Sequence, residues 1–183
     1  DANQGASVGL NRGGQGAGIQ PIWQTAFTEF VKAEANLTLT TAGNARTSLQ
    51  NAVTASFAKV IGFPATIGVT PNPTYVPSSA RQTQYITDLL TAYDAATTTD
   101  EKMTIIGKEY YIALWGNGVD AYNLYRRTGK PSNMQLPIVS APGAFTSSMY
   151  YPSVYVNRNQ NAAQKSGVDV HVFWDTNPPG FNK

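Results

Sequence analysis

The apolar positions of this chain fall into helical stripes over its first two thirds, and then the rhythm stops. Trp23, Phe27, Phe30 and Leu37 recur at spacings of three, four or their sum, with Ala26 and Ala33 beside them. That period marks one face of an α-helix. Pro21 suits the first helical position, so the helix is predicted to begin there. The run "TTAGN" ends it: Gly43 fits a left-handed cap and Asn44 fits the N-cap of the next helix. Leu49, Val53, Phe57 and Val60 line one side of that second helix, Ala45, Ala52 and Ala55 keep it slim, and Gly62 with Pro64 predicts its end. Two amphipathic helices joined by so short a loop make an antiparallel hairpin.

Residues 62–78 carry Pro64, Pro71, Pro73 and Pro77 and read as a long loop, a kind of segment that often serves function. A third helix is predicted from Ser79 to Ala96, with Ile86, Leu89, Leu90 and Tyr93 inward. Thr98 followed three residues later by Glu101 fits a capping box and starts a fourth helix. Its stripe of Ile106, Tyr110, Ala113, Leu114, Ala121, Leu124 and Tyr125 runs on to Arg127, ahead of Gly129 and Pro131. At the helical rise that is one rod of about 40 Å. Beyond Pro131 the sequence is rich in Pro, Ser and Asn, and only Val168, Val170, Val172 and Trp174 alternate as a short strand would. The pattern predicts a mainly α protein forming a single helical unit over 1–183. Its parts are a loop at 1–20, a hairpin at 21–61, a loop at 62–78, a hairpin at 79–128 and an irregular tail at 129–183.

Composition narrows the function classes. At 183 residues the chain suits one domain. Charged residues make up 13 %, against about 25 % in typical globular domains. Thr, Ser, Asn and Gln take their place, a surface more typical of exported proteins. A net charge of +2, with no basic stripe, gives no footprint for nucleic acid. Cysteine is absent, which excludes disulfides, thiolate zinc sites and cysteine nucleophiles within the chain. No apolar run approaches the length of a membrane-spanning helix.

Catalytic chemistry finds little support. The single histidine, His171, would have to serve any Ser-His-Asp arrangement, and no nucleophile elbow is present. The acids are scattered, so neither a metal site nor a cofactor is expected. Glu109 and Asp120 share a face of the fourth helix but lie about 16 Å apart along it, too far for a glycosidase pair. "GGQGAG" at Gly13–Gly18 lacks the glycine spacing, preceding strand and following Lys-Ser/Thr of nucleotide loops. The fourth helix is so rich in rings that two readings stand: a core between stacked hairpins, or a ring cluster facing a ligand. Tyr111, Trp115 and Tyr122 widen its stripe, and Gly116 and Gly118 suggest a close approach.

The stretches "IGKEYYIALWGNGVDAYNLYRRTGKP", "SSMYYPSVYVNRN" and "VFWDTNP", in that order, resemble the C-terminal region of SusD/RagB-like nutrient-binding outer-membrane lipoproteins. "GAGIQPIWQTAFTEFVKAEANLTL" and "ARTSLQNAVTASFAKV" resemble that family's preceding hairpin. The resemblance implies tetratricopeptide-like helix pairs with long inserted loops, and a place on the outer surface of the outer membrane. It implies attachment through a lipid anchor outside this chain, capture of a glycan or other nutrient, and delivery to a SusC-like TonB-dependent transporter without catalysis. It also implies that the chain is the C-terminal part of a longer protein, in which case its helices should leave apolar side chains uncovered and the segment Asp1–Gly18 should be an exposed loop. Under it Trp115, Tyr151 and Trp174 are framework rings, and Arg126 and Arg127 pin the tail. The ring least explained by helix packing is Tyr75 in the proline-rich loop, the candidate ligand contact; Tyr150, Tyr151 and Tyr155 are read as mainly structural. A reading from another class is a helical-repeat scaffold for protein partners.

Overall fold

The computed structural model describes residues 17–39, 41–135, 145–178 and 181. The Gly13–Gly18 run and the Asp1–Gly18 segment lie almost wholly outside them. Among the described residues the fold is helical, with no strand. It comprises α1 (Thr25–Thr38), α2 (Ala45–Thr66), α3 (Ser79–Ala95), α4 (Thr99–Ala113), α5 (Gly118–Thr128) and α6 (Ser153–Arg158). A single 3-10 turn, Pro73–Tyr75, lies in the proline-rich loop. The α1–α2 hairpin is the most extensive contact, and α4 packs across it. Phe27 and Phe30 of α1, Leu49 and Val53 of α2, Tyr93 of α3 and Ile106, Tyr110 and Leu114 from the α4 end form the core, joined by Leu124 of α5. Phe30 lies flat on Tyr110, ring centroids 5.0 Å apart and 13° from parallel.

The starts of α2, α3 and α4 follow from their capping residues. Asn44, Ser78 and Thr98 each accept a hydrogen bond from the amide three residues on. Thr98 and Glu101 close the full capping box, and the Glu101 carboxylate also accepts from the Thr97 amide at 2.8 Å. Those hydrogen bonds hold the Glu101 carboxyl down to about 2 from an ordinary 4.5. A lowered carboxylate pKa adds stability that is complete above the unfolded value near 4.5 and is lost as pH falls toward 2. Glu101→Gln should therefore flatten the acid limb between those values in a stability-versus-pH profile. An unchanged limb would show the box is not populated in solution.

Five expectations need correction. Helix α2 runs past its predicted end at Gly62 and Pro64, carrying Pro64 inside it, to Thr66, so the loop read over 62–78 begins only after that. The first helix begins at Thr25, not Pro21: Gln24 is its N-cap, and buried Pro21 packs beside Gly116 instead. Gly43 is not among the described glycines with positive φ; it presses against the Asn36 side chain, where a Cβ would meet Oδ1 at 2.5 Å. The predicted 40 Å rod is two helices. After Leu114 the chain turns through Gly116 at φ +89°, and the Asn117 side chain accepts from the Asp120 amide to start α5. Only glycine adopts that backbone cheaply, so Gly116 breaks the helix, and the Pro21 ring also lies close, 3.3 Å from where a Cβ would sit; no such approach is made at Gly118, where a Cβ would meet nothing within 4 Å. Glu109 and Asp120 consequently sit on different helices. The expected strand is absent: the Ser147 and Ser148 amides both bond the one carbonyl of Val168, at 2.8 and 2.9 Å, which anchors the tail without building a ladder.

Candidate functional site

The concave feature best furnished for a ligand is a groove of about 360 Å³ between α2, α3 and α4. Its walls are mainly apolar: Val53 and Phe57 come from α2, Ile112 and Ala113 from the end of α4, and Pro77 from the loop before α3. Tyr85 of α3 crosses Phe57 edge to face, with centroids 5.5 Å apart. The Tyr85 hydroxyl donates to Glu109 Oε2 at 2.7 Å. Glu109 projects from the apolar face of α4 and is only 6 % exposed.

Burial pushes the Glu109 carboxyl up, and the Tyr85 hydrogen bond and the nearby Lys108 charge offset only part of that. The Tyr85 hydroxyl is raised for the same reason, its own burial first and then its bond to the carboxylate. Arg81 also lines the groove, one turn before Tyr85 on α3. Among the described residues its side chain makes no hydrogen bond or ion pair.

Of the residues singled out from sequence, Tyr75 is 83 % exposed on its 3-10 turn, two residues before Pro77 of the groove wall. Trp115, expected among packed rings, is 91 % exposed, because the Gly116 turn swings it off the helical stripe. The two arginines diverge. Arg126 reaches the tail, pairing with Asp175 at 3.3 Å while its carbonyl accepts from the Asn177 amide side chain at 3.2 Å. Arg127 instead grips Glu34 of α1 with two hydrogen bonds, at 2.9 and 2.6 Å. The reading that both pin the tail is thus corrected for Arg127: consecutive residues on a helix point about 100° apart, and only one can face the tail.

In the tail Tyr151 and Tyr155 meet edge to face at 5.8 Å, both half-exposed. Gln164 brackets Tyr151 by accepting from its amide and donating to its carbonyl, both at 2.9 Å. The Lys165 ammonium lies 4.9 Å from the centre of the Tyr151 ring. Tyr151 and Tyr155, together with Asn161, border a shallow open depression. Trp174 stands exposed against Phe173, edge to face at 4.6 Å. No hydrogen bond or ring contact joins Tyr75, Tyr151 and Trp174 among the described residues. His171 lies 3.7 Å from Asp175. Lys165 donates to Ser148 Oγ at 2.8 Å, while that hydroxyl donates to the Val170 carbonyl.

Sequence reasoning passed over Tyr85 and weighed Glu109 only as a scattered acid and as a rejected partner for Asp120. A signal for Glu109 was present: it stands three residues after Ile106 and four before Ala113, a carboxylate on an apolar face. Its partner lies 24 residues away, and only the crossing of α3 and α4 brings the two together.

A family model described as SusD-like, "Susd and RagB outer membrane lipoprotein", matches residues 18–171. Among solved structures the chain is similar to one described as "Bacteroidetes AC2a SusD-like", at 22 % identity with a TM-score of 0.50. That likeness covers 64 % of this chain and 21 % of the other, so the chain spans about a fifth of that structure's length. At such identity it speaks for the helical fold alone. No curated protein matches the sequence.

Proposed function

The chain belongs to the SusD-like family of outer-membrane lipoproteins, and from that premise we propose that it is the C-terminal part of a cell-surface nutrient-capture protein. It takes a nutrient, a glycan by preference, and passes it to a SusC-like TonB-dependent transporter without chemically altering it. The observation that carries this reading is the family match across residues 18–171. The side chains support it. Tyr75 is presented on a loop with its ring faces open, and the Tyr151–Tyr155 pair stands beside Asn161. Sugars bind by laying apolar ring faces on such aromatics while amides meet their hydroxyls. Among the described residues a catalytic reading finds no activated group at Ser148 or His171. The Ser148 hydroxyl is committed to a carbonyl and touched by an ammonium that donates to it, and His171 leans on an aspartate that already holds Arg126.

Calorimetry of the full-length lipoprotein against a panel of oligosaccharides and peptides tests the proposal, together with recovery of the transporter by pull-down. Binding to at least one glycan is expected, and Tyr75→Ala should weaken it about threefold to tenfold, the worth of one stacked ring. A protein that binds no member of the panel and recovers no outer-membrane transporter would overturn the reading. Recovery of soluble protein partners alone would favour the repeat-scaffold alternative.

A further inference from the structure

The groove holds a carboxylate at a cost to stability. Glu109 is 6 % exposed, and among the described residues its side chain has one hydrogen-bond partner, Tyr85 on Oε2. Oε1 accepts nothing, and apolar groups from Val53, Phe57 and Ile112 surround the groove. Oε1, unbonded among the described residues yet not closed off from solvent, is left facing the groove, where a cation would offset the burial of the charge. Arg81 provides the opposite element. It lies one helical turn from Tyr85 on the same face of α3, exposed, with no acidic partner among the described residues. The groove therefore presents a buried anion, a free cation one turn along α3 from that anion's tyrosine partner, and apolar walls between helices.

We propose that this groove binds a zwitterionic amino acid with an apolar side chain. The ligand's ammonium meets Glu109 Oε1, its carboxylate meets the Arg81 guanidinium, and its side chain lies against Phe57, Val53 and Ile112. A volume of about 360 Å³ lies at the small end of ligand sites and suits one residue-sized molecule. Tyr85 is a positioning residue: its hydroxyl holds Oε2 so that Oε1 stays free. An amine alone would meet repulsion from Arg81 and from Lys108, next to Glu109 in the chain; an acid alone would meet the Glu109 charge. The zwitterion answers both. This inference rests on the groove's own geometry and is independent of which nutrient the lipoprotein captures.

Titration calorimetry of the full-length lipoprotein with three probes decides it. L-Phenylalanine should bind at least about tenfold tighter than either 2-phenylethylamine or 3-phenylpropionate, each of which lacks one charge-assisted contact. Glu109→Gln keeps an acceptor for Tyr85 and removes the charge; thermal unfolding should show it folded, with phenylalanine affinity down about tenfold or more. Arg81→Ala, a change at an exposed position, should lose the advantage of phenylalanine over the amine while keeping that over the acid. The proposal is overturned if phenylalanine shows no binding, if it binds no tighter than both analogues, or if Glu109→Gln leaves its affinity intact. Loss of glycan binding would leave these outcomes untouched, so failure of the nutrient reading and failure of this one are separable.

Discussion

Phe30→Ala is expected to lower the stability of the chain by about 3–5 kcal/mol, read by urea or thermal unfolding. Phe30 is fully buried on α1, lies flat on Tyr110 of α4, and also backs the groove. Truncation removes the ring's transfer energy and leaves a void between the two helices. The surroundings can close little of it, since Phe27 and Leu49 are themselves fully buried. The control is Trp115→Ala, at an exposed ring of larger size, where the change should stay within about 0.5 kcal/mol. A Phe30 loss below that of Trp115 would mean that α1 does not carry the core.

Gly107→Val should cost about 1–3 kcal/mol through overpacking. Gly107 is buried in α4, and a Cβ there would sit 2.5 Å from the Cβ of Lys130. That neighbour cannot swing away as a flexible tip would. Lys130 is only 7 % exposed, its ammonium pairs with Asp100 at 2.8 Å, and its amide donates to Thr128 Oγ1 at 3.1 Å. Gly107→Ala tests the same contact more gently. Helix propensity favours alanine by about 1 kcal/mol, so a net loss isolates the clash. If the alanine variant were instead more stable, the segment after α5 would have to yield freely, and the close approach of Lys130 to α4 would not be a fixed part of the fold.

The helices were largely legible because their signals are local. Of the α1 stripe Phe27 and Phe30 are buried, with Ala33 beside them, and of the α2 stripe Leu49 and Val53, with Ala52; Trp23 and Val60, read into the same stripes, are 58 % and 59 % exposed at their outer ends. The α3 range was read to within one residue, Ser79–Ala95 against a predicted end at Ala96. Where the reading slipped, two local signals competed. The apolar stripe runs unbroken through Tyr110, Leu114 and Leu124, and it outweighed Gly116 and Asn117, which turn the chain. In the tail, four alternating positions resembled a strand, but a strand needs a partner to bond, and the Ser147 and Ser148 amides both donate to the single carbonyl of Val168. The short α6 was missed because six residues give no readable period.

The sequence by itself determined the helical class, the capped starts at Asn44 and Thr98, and the family, whose motifs lie within continuous stretches. These depend on residues no more than a few positions apart, where covalent geometry fixes who meets whom. Only the tertiary structure decided the groove. It set Tyr85 against Glu109 across 24 residues, Arg127 against Glu34 across 93 and Arg126 against Asp175 across 49. Such pairs follow from how helices cross, and crossing is the joint outcome of all the packed faces at once. No single stretch of the chain carries it, and so a carboxylate that reads as one scattered acid becomes the buried charge of a ligand-sized groove.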